Sequence, residues 1–183
     1  MAQVMSKPHG GTILMTTTMT INDQLVELGT LVDNESREVQ RTGAQLIEKF
    51  FNEFKDYHLM DAEQIANHLY YLTDIQVRDY ALGLINPNEA ETLIPALGYL
   101  LAVAPTDTIY ISAPATLLAA LYYEMGNTAE ALLTLSNAQE DYTLAKLLHR
   151  VIAAGWEANS FIKMRNSLHP MVVLRIFGEE SNA

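Results

Sequence analysis

Residues Leu121–Leu133, LYYEMGNTAEALL, decide how the rest of the chain is read. The run is apolar and aromatic up to Met125, turns through Gly126 and Asn127, and resumes with Glu130 and the small Ala131. Gly126 permits the left-handed exit that ends a helix. Ala131 has no bulk to hold a second helix away from the first. The stretch predicts a helical hairpin, and such a hairpin must stack on neighbours to bury its apolar faces.

Helical signals extend in both directions. Downstream, Thr128 is read as the cap of a helix over 129–138, and 142–153 follows, stopping at Gly155. Residues 160–165 and 170–177 read as two short closing helices with a break at His169-Pro170, since proline suits a first helical position. Upstream, Thr20 and Asp23 have capping-box spacing, as do Asp61 and Gln64, and Asn88 and Glu91. Between them lies an apolar stripe of i, i+3, i+4 type over about 35–56, weakened at its middle by Gly43. A helix from Thr73 or Asp74 stops before Pro87. Another ends before Pro105, with Pro95 in its second turn. Thr108–Ile111 is the one β-like run and is too short for a sheet, and Ser112 and Pro114 are read as opening the next helix. Residues 1–20 hold Gly10-Gly11 and Pro8 without periodicity and read as a flexible tail. The expectation is one all-α domain over 21–183, compact, of about seven to nine helices.

The hairpin resembles the central turn of a tetratricopeptide-type repeat, with its aromatic first helix, turn glycine, and acidic and small residues early in helix two. One copy occurs, so a single embedded hairpin is expected rather than a solenoid. A wider resemblance rests on Val77-Arg78-Asp79, the Leu101–Pro105 helix end, the run 113–121 (APATLLAAL), Gly126-Asn127, Ala129–Leu132, the run 142–148 (YTLAKLL) and Ala154-Gly155. In this order they are similar to the C-terminal helical part of the actinobacterial domain-of-unknown-function family numbered 4192, over about Ile75–Trp156. The resemblance implies an all-α fold and an actinobacterial or actinophage source. It carries no activity and no catalytic residue. Two departures stand out: family members have a longer N-terminal portion, and their Gly-Asp-Gly-Ala turn is Gly126-Asn127-Thr128-Ala129 here.

Composition narrows the function. The 183 residues are 49% hydrophobic and 18% charged, enough to bury a core. The absence of cysteine excludes thiol chemistry. Neither a signal peptide nor a membrane span is present, so a cytoplasmic protein without membrane contact is expected. Charge is uneven: residues 1–78 carry −5, residues 79–145 carry −8 without a single Lys or Arg, and residues 146–183 carry +2, for a net −11. One sign of charge attracts basic partners and argues against direct nucleic-acid binding.

No Walker loop, dinucleotide fingerprint or nucleophile elbow occurs. The histidines, His9, His58, His68, His149 and His169, have no metal-site spacing, so neither cofactor nor metal is expected. Arg78 and Asp79 are neighbours on a helix, which do not face each other, so each is expected to serve a different partner. For Arg78 the plain structural reading is a pin to a neighbouring helix through a carboxylate or a helix C-terminus, and the alternative is a ligand-binding role. In the doublets Tyr70-Tyr71 and Tyr122-Tyr123 one ring faces the core and the other is free to anchor an interface. The function expected is a non-enzymatic helical interaction module with a protein partner, a basic one, or a second copy of itself. Its contact residues are taken from Tyr122, Tyr123, Glu124, Glu130, Arg78 and Asp79. The alternatives are an acidic inhibitor or DNA mimic aimed at a nucleic-acid enzyme, and an enzyme whose site has no sequence signature.

Overall fold

A computed structural model describes residues 19–31, 36–54 and 60–178. Among them are nine α-helices, one short 3-10 turn and no strand. The helices are α1 (Ile21–Leu31), α2 (Arg37–Glu53), α3 (Ala62–Tyr71), α4 (Ile75–Leu84), α5 (Ala90–Val103), α6 (Ile109–Glu124), α7 (Thr128–Leu135), α8 (Thr143–Ala153) and α9 (Ala158–Phe177), with the turn at Pro87–Glu89. The fold is all-α, as expected. Of the tail expected over 1–20, only Met19 and Thr20 are described, and Thr20 belongs to the start of α1.

Local caps set several starts. The Thr20 N–H and hydroxyl donate to Asp23 Oδ2 at 3.0 and 2.8 Å, and the Asp23 N–H donates to Thr20 Oγ1 at 3.2 Å. Asp61 and Gln64 form the reciprocal box, with bonds of 2.8 and 3.1 Å. Asp74 Oδ1 accepts from the N–H groups of Gln76 and Val77 and opens α4. Two glycines close helices in the left-handed region. Gly126 has φ 81°, its N–H donates to the Tyr123 carbonyl, and the Asn127 N–H donates to the Tyr122 carbonyl. Gly155, at φ 67°, repeats the pattern after α8. Both are Schellman ends, which satisfy carbonyls that a helix terminus leaves open.

Helix α6 is the axis of the molecule. Every residue from Ile111 to Leu121 is buried, so it is wrapped on all sides, chiefly by α5 and α7. The fully buried Ala131 lets α7 lie close against it. One core runs from Leu25 in α1 to Phe161 in α9, and a smaller cluster joins Ala44, Tyr80 and Ile176 where α2, α4 and α9 meet. Each buried Leu or Ile there contributes about 1.5–3 kcal/mol.

Four expectations need correction. Thr108–Ile111 is not β-like: Thr108 is the N-cap position and Ile109 the first residue of α6, because burying Ile111 in the core outweighs the local preference of β-branched residues. Asn88 and Glu91 form no capping box. Asn86 Oδ1 accepts the Asn88 N–H and opens the 3-10 turn instead. Asn127, not Thr128, occupies the N-cap position of α7. The two closing helices are one, with Pro170 inside α9. An internal proline costs about 3 kcal/mol, and packing on both sides of it, through Phe161 and Arg165 before and Ile176 after, holds the helix together. Gly43 also has a reason beyond weak propensity: an added Cβ would lie 2.7 Å from Tyr71 Cδ1.

Candidate functional site

The six residues singled out in the sequence do not form one surface. Tyr122 is half-buried and Glu130 exposed. Tyr123 is buried. Its hydroxyl donates to the Trp156 carbonyl, its ring meets Phe161 edge-on at 5.7 Å, and burial pushes its phenol above the ordinary value. It holds the α8–α9 connection to α6 and is not an interface anchor. Glu124 is buried too, so it cannot meet a partner.

Arg78 and Asp79 overturn the argument from helix geometry. Arg78 Nε and Nη2 both donate to Asp79 Oδ1, at 2.9 and 2.6 Å. The guanidinium lies in a cleft beside Leu82, Leu144 and Leu147, with its Cζ 5.6 Å from the centre of the Tyr142 ring. A bare cation is costly there, and its neighbour is the nearest carboxylate. Burial works against the Arg78 charge, and Asp79 and Tyr142 hold its pKa above the ordinary value.

The centre of this region is Arg165, which the sequence reading did not single out. Its Nε and Nη2 donate to Glu124 Oε1 and Oε2 at 2.6 and 2.8 Å, a bidentate pair whose side chains are 4% and 0% exposed. Its Nη1 donates to the Gly83 carbonyl at 3.1 Å. That carbonyl lies in the last turn of α4, and its i+4 partner would be Pro87, which has no N–H. Glu124 ends α6, where the helix dipole disfavours an anion. One guanidinium therefore answers two awkward helix ends and ties α4, α6 and α9 together. Burial raises the Glu124 carboxyl above its ordinary range, and Arg165 only partly offsets this.

One turn along α9, His169 packs against Gly83 and lies 5.4 Å from the Tyr80 ring. Its Nδ1 is buried without a hydrogen bond among the described residues. Burial and the Arg165 charge lower its pKa, against the pull of Glu48. Tyr80 donates to Glu48 Oε2 at 2.9 Å, and burial pushes its phenol up to about 12. On α3, burial also lowers the pKa of His68, whose Nδ1 bonds the Gln64 carbonyl at 2.6 Å. Both folded imidazoles bind protons less readily than the unfolded chain, whose histidines titrate near 6.5. Stability is therefore full above that pH and falls as pH drops through it. The urea midpoint is expected to be lower at pH 5.5 than at pH 7.5, with a smaller drop in the His68→Gln/His169→Gln variant. Equal drops in both proteins would refute this.

Two clefts flank these groups. One of about 480 Å³ lies between α2 and α3, lined by Phe50, Phe54, Met60, His68 and Tyr71 among others. The other, of about 180 Å³, lies between α4, α8 and α9 and takes in Arg78, Asp79, Arg165 and His169. Two of its lining side chains are apolar and left in solvent, Leu147 on α8 and Leu168 on α9, and the exposed Met171 follows Leu168 one turn along α9. Among the described residues no three His, Asp or Glu side chains gather as metal ligands. No described helix is long and apolar enough to cross a membrane.

No curated protein and no solved structure matches the chain. A family model described as Domain of unknown function (DUF4192) matches residues 15–158. The match begins well before Ile75, where the sequence resemblance began, and takes in α1 to α8. Nearly all of α9, with Arg165 and His169, lies beyond it. Most of the chain is covered, and the protein belongs to the DUF4192 family.

Proposed function

We propose that this protein is a non-enzymatic helical interaction module and that it holds a protein partner over α8 and α9. One observation carries the reading. Leu147 and Leu168 line the smaller cleft and are 44% and 56% exposed, and Met171, 54% exposed, follows Leu168 one turn along α9. Single exposed apolar residues are ordinary, and a contiguous row beside a cleft marks an interaction surface. The contact site thus moves from Tyr123 and Glu124, which are internal, to the neighbouring helix pair. A cytoplasmic setting suits a chain without cysteine.

The acidic-inhibitor alternative draws on six exposed carboxylates, Glu89, Glu91, Asp107, Glu130, Glu140 and Asp141. They sit on the 3-10 turn, α5, α7 and two loops rather than on successive turns of one helix, which favours the interaction module. The test is affinity capture with the wild-type chain and a Leu168→Glu/Met171→Glu variant of equal helicity. Proteins held by the wild type and lost by the variant support the reading. An identical captured set overturns it.

A further inference from the structure

We propose that the occupant of the α8–α9 face is a second copy of this chain, paired about a two-fold axis that sets the acidic α7 edge of each copy on the α8–α9 face of the other. This rests on the reading of α8–α9 as the docking surface. On α8, Leu147 shares its exposed stripe with Arg150, one turn on, and Lys146 lies beside it. On α9, Leu168, Met171 and Arg175 follow one another at helical spacing. Leu147 and Leu168 line one cleft, so the two stripes lie side by side. The face is an apolar strip rimmed by three exposed cations, Lys146, Arg150 and Arg175. None of the three forms an ion pair among the described residues.

The complement of that face is on the same chain. Helix α7 exposes Leu132 and Leu133, the latter 66% exposed, beside Glu130, and the loop after it exposes Glu140 and Asp141. No Lys or Arg occurs from residue 79 to residue 145 to neutralise them. Both surfaces pair apolar anchors with a charged rim, and the rims are opposite in sign. Helices α7 and α8 touch, so the two patches lie on neighbouring helices. A two-fold axis between neighbouring complementary patches makes the same contact twice, as an isologous dimer requires.

The test is the mass of the full chain by light scattering across the micromolar range, together with charge reversals. The wild type is expected to reach twice 20.4 kDa. Leu168→Glu/Met171→Glu is expected to weaken the dimer at least about tenfold with unchanged circular dichroism, since it buries unpaired charge at the contact. A Glu130→Lys/Glu140→Lys chain and a Lys146→Glu/Arg150→Glu chain should each be monomeric, because each then opposes like charges. Mixed, they should form a heterodimer, because both contacts again join opposite signs. A wild type that stays monomeric, a mixture that stays monomeric, or a dimer indifferent to Leu168→Glu/Met171→Glu overturns the pairing. If the wild type is monomeric yet that variant loses a captured protein, self-pairing falls and the interaction module stands. If the captured set is also unchanged, both fall.

Discussion

Replacing Arg165 with Met is expected to cost about 3–5 kcal/mol of unfolding free energy at neutral pH, read as a lower urea midpoint. The size follows from what is left behind. Glu124 keeps a carboxylate with no exposed side-chain surface and loses both of its bonds to the guanidinium. The Gly83 carbonyl loses its donor as well. Arg165→Lys should recover only part of the loss, since one ammonium cannot reproduce the fork that reaches Glu124 and Gly83 together. Two further results separate this account from a general packing defect. The cost should shrink as pH falls, because the stranded carboxylate can take up a proton. The double variant Glu124→Leu/Arg165→Met should recover most of the stability, because a buried ion pair replaced on both sides by apolar groups is often neutral. A double variant as damaged as the sum of the singles would show that the pair itself contributes little.

The hairpin, the glycine stops and two of the three capping boxes were legible because each is local. Thr20 and Asp23, Asp61 and Gln64, Gly126, and Gly155 act on backbone groups within a few residues of themselves, and the structure uses all of them as read. What local reading missed was decided at a distance. Helix α6 is buried all round, so it has no polar face to set a period and its start could not be phased. Helix α9 continues through Pro170 because α4 and α6 hold its first half and α2 and α4 its second. The Glu124–Arg165 pair joins residues 41 apart, a separation that no spacing rule reaches. A weaker signal was present: each is a lone charge among apolar residues, Glu124 at the end of α6 and Arg165 beside Phe161, Met164 and Leu168. A charge on an apolar face is a request for a buried partner of opposite sign. Arg78 and Asp79 failed the other way, because the helical-neighbour rule places Cβ atoms and says nothing of where a long guanidinium folds back.

Gly83→Ala should lower stability by about 2 kcal/mol, although Ala is the better helix former by roughly 1 kcal/mol. The Cβ would fall 1.7 Å from His169 Nδ1 and 2.4 Å from Cε1 and Cγ, a collision with the Nδ1 edge of the imidazole. The ring must move, and α9 carries it. Any shift of α9 also draws Arg165 away from the Gly83 carbonyl, so one methyl group acts on two contacts. Gly98→Ala is the matched comparison. Gly98 lies inside α5 with nothing within 4 Å of an added Cβ, and the same exchange there should stabilise by about 0.5–1 kcal/mol. Opposite signs at two helical glycines would isolate the collision from helix propensity. His169→Ala in the Gly83→Ala background removes the obstructing ring, so the double variant should be more stable than the sum of the singles predicts. Simple additivity would mean that the imidazole swings aside freely and that Gly83 is not held small by His169.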